Sequence, residues 1–357
     1  MVNISVVGCG YWGPKHIRVC YESTEASLTT VCDLDEGKLK QVRTQYPNVK
    51  TTNRFNDLLG DGIDAVVIAT PVNTHYQLAK LALLHDKHVM IEKPMTSTSD
   101  EALELVQLAE KRHLVLMVGH TYEYHPAVDF LKGLINGGEL GEIYCIDSDR
   151  LNLGLFRPDV NVLWDLAPHD ISIILSLLNE EPIEVSARGA HHVDSGICDM
   201  AYLEILFPSG AIGHVHVSWL HPRKIRQTTI VGSKKMAVYD DVSETEKILV
   251  YDKGLTISHN NNHSGNGDNK FSAWPPNYRY GNVVIPFISN AEPLKIECNH
   301  FIKCITEGKT PRSDGWAGLR VTSVLEAADR SLANGGQRVK LNLAHQAVAY
   351  PSLAKAY

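Results

Sequence analysis

The stretch Val2-Asn3-Ile4-Ser5-Val6-Val7-Gly8-Cys9-Gly10-Tyr11-Trp12-Gly13 decides the fold. Its first six residues form a short alternating-to-apolar run, the pattern of a strand, and the run meets a G-x-G-x-x-G at once. Between a strand and a helix the three glycines have separate tasks. Gly8 permits the tight turn, Gly10 lets a pyrophosphate approach the backbone, and Gly13 lets helix and strand pack closely. The following helix offers unpaired amides and the positive end of its dipole to phosphates. Tyr11 and Trp12 lie in the same loop and join the candidate contacts to a dinucleotide. Asp33 closes the second apolar run, about twenty residues beyond Gly13, where a carboxylate accepts hydrogen bonds from both adenosine ribose hydroxyls. The alternative is a set of structural glycines with a coincidental surface aspartate. A carboxylate at this point repels a 2′-phosphate, and Leu34-Asp35 supplies no Arg or Lys to neutralise it. NAD is therefore the expected cofactor, with dual use of NADP left open.

Working outward, apolar runs at 4–7, 28–32, 65–69, 88–91 and 114–118 alternate with helical patterns. Strict alternation with apolar strands implies a doubly wound parallel sheet covered on both faces, a Rossmann domain over residues 1–120. Beyond 120 the rhythm changes. Helices are expected at 126–136 and 168–178, then strands at 184–191, 200–207, 212–219, 224–231 and 236–239 separated by turn signals such as Pro208-Ser209-Gly210. Residues 121–357 thus read as an α+β domain whose large, mostly antiparallel sheet is covered by helices on one face. Helical periodicity at 294–306 and 318–332 supplies C-terminal helices that return to the first domain. The other sheet face is a place for subunits to meet, so a homodimer or homotetramer is expected. Residues 259–269 are polar and glycine-rich and read as a loop without chemistry.

The 357 residues suit two domains, and 44% hydrophobic with 21% charged residues is an ordinary globular composition. A net charge of -7 without a long basic run argues against nucleic acid. Seven cysteines form no C-x-x-C pair, so neither a disulfide framework nor a cysteine-rich metal site is suggested. No signal peptide or membrane-length apolar run is legible. The expectation is a soluble, cytoplasmic protein with no membrane partner and no metal.

Two further motifs fall at the carboxyl ends of strands, where ligands of open α/β sheets bind. Thr70-Pro71-Val72-Asn73-Thr74-His75 follows the third apolar run, and Glu92-Lys93-Pro94 follows the fourth. Lys93, if partly buried, would be a donor beside the reacting carbon; otherwise it is an exposed loop lysine. G-x-G-x-x-G, then T-P-x-N-x-H, then E-K-P resembles the glucose-fructose oxidoreductase, inositol dehydrogenase and rhizopine catabolism (Gfo/Idh/MocA) family across nearly the whole chain. The resemblance implies cofactor contacts from Thr70, Pro71, Asn73, His75, Glu92 and Lys93, with the lysine at substrate and nicotinamide. A second family motif, D-x-G-x-H-x-x-D, supplies an aspartate and a histidine. Trp164-Asp165-Leu166-Ala167-Pro168-His169-Asp170 looks like it, with Asp165 and His169 in place. Ala167 stands for the glycine, Pro168 immediately precedes the histidine, and Asp170 follows it directly. On a helix the four-residue spacing puts Asp165 and His169 on one face. Capping roles are the alternative for both.

On this reading His169 is the base for a secondary hydroxyl, Asp165 orients it or binds a neighbouring hydroxyl, and Lys93 donates to the substrate oxygen. The resemblance leaves open whether Lys93 or His169 is the principal proton acceptor. Gly119-His120-Thr121-Tyr122 follows the fifth apolar run, and Arg150-Leu151-Asn152-Leu153-Gly154 follows a strand begun at Gly141-Glu142. Tyr122, Arg150, Asn152, Arg157 and Trp164 supply donors and an aromatic face of the kind polyhydroxylated ligands use, each with a packing or surface alternative. The set R-x-N-x-G from Arg150, W-D-x-x-x-H-D from Trp164, Tyr278-Arg279-Tyr280-Gly281 and Glu292-Pro293-Leu294 is similar to family members associated with nucleotide-linked or amino sugars. The resemblance thereby implies oxidation at C3 of such a sugar. The rivals are a free-sugar or inositol dehydrogenase, a redox-neutral enzyme that keeps NAD tightly bound, and a non-catalytic NAD sensor.

Overall fold

The structure is a computed structural model that describes residues 1–158, 160–194, 196–256 and 277–341. The 259–269 loop of the sequence reading lies outside the described residues.

The first sheet is built from β1 (Val2–Val7), α1 (Gly13–Glu22), β2 (Ala26–Cys32), α2 (Glu36–Gln45), β3 (Lys50–Thr52), β4 (Ala65–Ile68), α3 (Val72–Leu84), β5 (His88–Glu92), α4 (Ser99–Lys111) and β6 (Leu116–Gly119). The six strands are parallel in the order β3-β2-β1-β4-β5-β6. β4 is buried along its whole length, as a sheet covered on both faces requires. Strand order reverses between β1 and β4, which opens a crevice at their carboxyl ends. The short β3 carries Lys50-Thr51-Thr52 and has no apolar run by which a sequence reading would find it.

The glycine loop is held by contact. Gly8 has φ +96°, and a Cβ there would stand 2.4 Å from the Ala69 carbonyl oxygen. A Cβ on Gly13 would lie 1.8 Å from the Gly8 carbonyl oxygen, an overlap that only backbone movement can relieve. Gly13→Ala should therefore cost about 1–3 kcal/mol of stability and weaken binding of the expected dinucleotide about tenfold. Urea denaturation and a fluorescence titration check this; unchanged affinity would show that the loop does not set the site.

The second sheet follows α5 (Pro126–Asn136) and comprises β7 (Ile143–Leu153), then, after α6 (Val162–Leu178), β8 (Glu184–Ala190), β9 (Met200–Leu206), β10 (Ile212–Ser218), β11 (Leu220–Gly232), β12 (Met236–Asp240), β13 (Ile248–Thr256) and β14 (Asn277–Val284). α7 (Pro293–Glu307), α8 (Gly315–Ala333) and the edge strand β15 (Val339–Lys340) end the described chain. The order is β14-β13-β12-β11-β7-β10-β9-β8-β15. Every pair is antiparallel except β7 with β10, so the sheet is mixed as well as mostly antiparallel.

Two boundaries differ from the sequence reading. Arg150 to Leu153 lie within β7, not after it, because this central strand pairs along its length with both β10 and β11. α6 begins at Val162, well before Pro168, because the Asn161 side chain caps it by accepting from the Trp164 amide at 3.2 Å. Pro168 sits inside the helix, where it denies an amide to the Trp164 carbonyl and loosens the first turns.

α6 lies on the inner face of the second sheet, with Ile171 and Ile174 in one core with Leu203, Ile205, Val215 and Val217. α7 joins the first domain's core, placing Phe301 and Ile302 with Val6 and Ile17. α8 spans two cores, since Leu319 packs with Val118 and Met95 while Val324 and Leu325 pack in the second domain. The outer sheet face carries exposed Tyr144 and Tyr202, and Tyr278, Tyr280, Val283 and Val284 are exposed on β14.

Candidate active site

The carboxyl ends of β1, β2, β4, β5 and β6 gather the residues picked out by motif. At β1 the missing Cβ of Gly10 would meet nothing within 4 Å, so the loop presents open space on that side. The N-terminus of α1 carries no side-chain cap, leaving its first amides for an anion. Tyr11 is exposed and Trp12 partly so, and the Lys15 ammonium lies 3.6 Å from one ring centroid and 4.1 Å from the other. Asp33 braces this loop. Its Oδ2 accepts from the Cys9 amide at 2.5 Å and its Oδ1 from the Asp35 amide at 2.8 Å. Lys38, one turn into α2, brings its Nζ within 3.9 Å of Asp33 Oδ2. The reading of Leu34-Asp35 alone missed this cation, which approaches through helical periodicity and not through adjacency. A loop open at Gly10, uncapped amides and a carboxylate at the end of β2 together fit a dinucleotide.

At β4, Thr70 and the exposed Asn73 border the crevice, with Pro71 at the N-terminal boundary of α3. His75 is turned inward, its Nδ1 2.9 Å from the Pro94 carbonyl and its Nε2 2.8 Å from the Thr70 carbonyl. A neutral imidazole has one N–H, so it donates to one of these at a time and clamps the two motif loops together. Burial holds its pKa below the usual imidazole value, in keeping with a neutral clamp. Glu92 also points inward, its Oε1 2.7 Å from His16 Nε2 on α1. Both residues therefore brace the cofactor loops from beneath.

Lys93 follows Glu92 and is joined to Pro94 by a cis peptide bond. Its Nζ donates to the Asp165 carbonyl at 2.7 Å, joining the first domain to the opened turn of α6. Burial pulls its pKa below the ordinary lysine range, opposed by the charges of Asp165 and Glu92. Asp165 and His169 are both on α6, one turn apart. The Asp165 Oδ2 accepts from the Trp219 indole at 3.0 Å, and its Oδ1 lies 3.5 Å from Arg157 Nη1. His169 is 8% exposed, and its Nδ1 has no hydrogen-bond partner among the described residues. Burial first, then Lys93 and Arg150, hold its pKa well below the usual imidazole value. It is a neutral imidazole at neutral pH. Its ring meets Tyr122 edge-on at 4.7 Å.

The remaining candidates divide. Tyr122 accepts from Arg226 Nη1 at 2.7 Å and lies 4.6 Å beneath the Arg150 guanidinium. Arg150 is buried, and it donates to Asp170 through Nε at 2.6 Å and Nη2 at 3.1 Å, so it supports the site from within the second domain. Asn152 is partly buried on β7 beside Gly154, and Arg157 is exposed at the mouth. Trp164 faces the other way, with its indole donating to Asp329 of α8 at 2.6 Å, because it stands one residue out of phase with Asp165 and His169. Arg226, Trp219 and Asp170 were not assigned from sequence. Arg226 on β11 and Trp219 in the link between β10 and β11 are distant in the chain with no local motif, whereas the directly adjacent Asp170 was the one detectable signal. Among the described residues no group of three His, Cys, Asp or Glu side chains could hold a metal, and no helix is long and apolar enough to cross a membrane.

A family model described as an oxidoreductase family with an NAD-binding Rossmann fold matches residues 2–120, and the GFO/IDH/MocA C-terminal domain model matches 128–238. The chain belongs to the Gfo/Idh/MocA family. Among its Gfo/Idh/MocA relatives, the UDP-N-acetylglucosamine 3-dehydrogenase of Acidithiobacillus ferrooxidans is 29% identical over 261 residues, covering 71% of this chain and 78% of the relative. The myo-inositol 2-dehydrogenase of Thermotoga maritima is 25% identical over 268 residues, 71% of this chain and 79% of the relative. A crystal structure of the Acidithiobacillus enzyme is similar with a TM-score of 0.78 at 24% identity, covering 94% of this chain and 99% of that one. GenD2 from gentamicin A biosynthesis, in complex with NAD, has a TM-score of 0.79 at 22% identity, covering 96% of each chain. At these identities the structural likeness speaks for the Gfo/Idh/MocA fold.

Proposed function

We propose that the protein oxidises a secondary hydroxyl of a sugar, C3 of a nucleotide-linked or amino sugar, with NAD as hydride acceptor. The observation that carries this reading is the convergence of Lys93, Asp165 and His169 from two domains on one point, through the 2.7 Å bond from Lys93 Nζ to the Asp165 carbonyl. A sensor that only bound NAD would have no need of a dry lysine and a neutral histidine beside it. The relative that acts on UDP-N-acetylglucosamine supports the substrate class. The inositol dehydrogenases among the relatives make a free cyclitol the second reading, since the same three residues would serve it.

NAD, when bound, supplies the nicotinamide C4 that accepts hydride. The chain's own residues handle the proton and the orientation. His169 is kept unprotonated by burial and by two cations, so a ring nitrogen is available to take the hydroxyl proton as the C–H bond breaks. Lys93 spends one of its three donors on the Asp165 carbonyl and directs the others at the substrate oxygen. The Asp165 carboxylate, fixed by Trp219 and Arg157, binds a neighbouring hydroxyl or steadies the imidazole. Arg157, Asn152 and Tyr122 hold the rest of the sugar. Asp33 holds the adenosine ribose, and the α1 amides hold the pyrophosphate. We place the protein in the cytoplasm, in keeping with seven free cysteines, as a homodimer or homotetramer joined through the outer face of the second sheet.

Growth of NADH absorbance with a panel of nucleotide sugars, free sugars and inositols tests the reading. His169→Asn should lower turnover about 10²-fold on the active ligand. Equal turnover in this variant would remove His169 as base. Tight NAD binding without NADH release on any ligand would favour a redox-neutral cycle.

A further inference from the structure

The start of β11 carries cations that the chemistry above does not use. β11 pairs with β7 through Arg226 with Arg150 and Ile225 with Leu151, and again through Leu220 with Leu153, so His221 to Lys224 bulge out opposite the single residue Asn152. The bulge is held in shape. His221 Nδ1 lies 2.9 Å from the Arg223 carbonyl and 3.2 Å from the Arg223 amide, so the ring pins the segment in either tautomer. Residues 218–227 contain Arg223, Lys224 and Arg226 and no carboxylate. Arg226 is occupied by Tyr122 and Asp241, as Arg150 is by Asp170. Arg223 and Lys224 are exposed, and neither has an ion-pair partner among the described residues.

Strand alternation separates the two. Arg226 turns to Tyr122, so Lys224, two residues earlier, falls on that same face beside Asn152, and Arg223 falls on the other. Arg226 and Arg150 both meet Tyr122, whose ring meets His169, and this sets the level of the chemistry. Two residues along a strand span about 7 Å, so Lys224 and Asn152 stand farther out by the order of the reach from C3 of a pyranose to a diphosphate on its C1. The adjoining wall is apolar. A Cβ on Gly154 would stand 2.9 Å from the Trp219 indole, the Phe156 ring lies 5.2 Å from the same indole, and Leu155 and Phe156 are exposed beside Arg157.

We propose that Lys224, with Asn152 and Arg157, forms the diphosphate subsite for a nucleoside-diphosphate sugar, and that the nucleoside lies against Phe156 and Leu155. A lysine serves a diphosphate as a mobile point charge, which requires an ammonium that no carboxylate of the protein holds. An exposed ring and an alkyl side chain give the planar base a surface that free water covers poorly. The assignment rests on the proposed function for the placing of C3 at His169.

Calorimetric binding of UDP, GDP and inorganic pyrophosphate to the NAD-saturated protein tests this in the wild type, Lys224→Met, Arg223→Met and Phe156→Ala, beside kcat and KM on nucleotide sugars and free sugars. Lys224→Met should weaken all three probes about tenfold and raise KM for the nucleotide sugar alike, with kcat unchanged. Arg223→Met removes the same charge from the other face and should change binding by less than about twofold. Phe156→Ala should weaken the nucleotides and leave pyrophosphate as it was. Nucleotides that fail to bind the wild type, or bind Lys224→Met equally well, would overturn the subsite. An equal loss in Arg223→Met would overturn it too, since a diffuse field and not a contact would then be at work. Oxidation of a free sugar or inositol without nucleotide binding would sink the subsite and leave the oxidation standing. Nucleotide binding weakened as expected, in a protein that oxidises no sugar, would sustain the subsite and sink the proposed function.

Discussion

Lys93→Met is expected to reduce turnover about 10³-fold while NAD affinity changes by less than about threefold. Methionine matches the aliphatic stem of lysine in length and polarity, so the packing around β5 survives and only the ammonium is lost. That ammonium has two effects in the structure and a third in the proposed reaction. It bonds the Asp165 carbonyl across the domain boundary and its charge helps keep His169 unprotonated, and in the proposed reaction it donates to the reacting oxygen. Losing it removes a donor to the developing alkoxide, and it also lets the imidazole pKa rise toward the usual value. The activity that remains should therefore show its acid limb at higher pH than the wild type, because His169 is protonated more readily once the neighbouring cation is gone. Stopped-flow hydride transfer and a pH profile of kcat measure both effects. A loss confined to KM would mean that Lys93 binds the substrate without acting on the transition state.

Asp170→Ala is the second large effect, and it is read in stability. Asp170 and Arg150 are both buried, joined by two hydrogen bonds, and Ser148 adds a third to the same carboxylate at 2.7 Å. Removing the carboxylate strands a guanidinium that cannot lose its proton inside the second domain, at a cost of about 3–5 kcal/mol. Urea denaturation followed by tryptophan fluorescence should show that loss, and Arg150→Met in the same chain should restore part of it by removing the stranded charge. The guanidinium also lies over Tyr122, whose ring supports His169, so turnover should fall in Asp170→Ala even at temperatures where the protein remains folded. Unchanged stability would mean that water reaches Arg150.

The first sheet is legible because each strand is a short apolar run in a fixed rhythm, and its motifs are contiguous. The strand that escapes, β3, has no apolar run. In the second domain β8 to β12 are found, the long central β7 is truncated because buried Ser148 and Arg150 interrupt its apolar pattern, and β13 and β14 are missed, β14 being exposed along most of its length with no buried face to mark it. The catalytic candidates are legible as motif positions only. Which way each side chain turns depends on contacts from far along the chain. Trp164, His75 and Glu92 have the right address and face the interior. Arg226, Trp219 and Lys38 have no motif and reach the site or the cofactor loop.

The placement of α8 governs when the first domain can be completed during synthesis. A Cβ on Gly315 would fall 2.9 Å from side-chain carbons of Leu116 and Val106, and one on Gly318 would fall 2.5 Å from Val118, so the helix lies almost against β6 and α4. α7 closes the opposite face around Ile17 and Val6. When a ribosome has finished the six parallel strands, α1 to α4 are in place but the last helix on each face is still unmade, and nearly two hundred residues separate the end of β6 from Gly315. The nascent nucleotide-binding half must wait, with apolar surface uncovered, for the end of the chain to arrive. A truncation before α7 would deprive the cell of more than a C-terminal tail, because it would leave the earliest-made domain with part of each face uncovered.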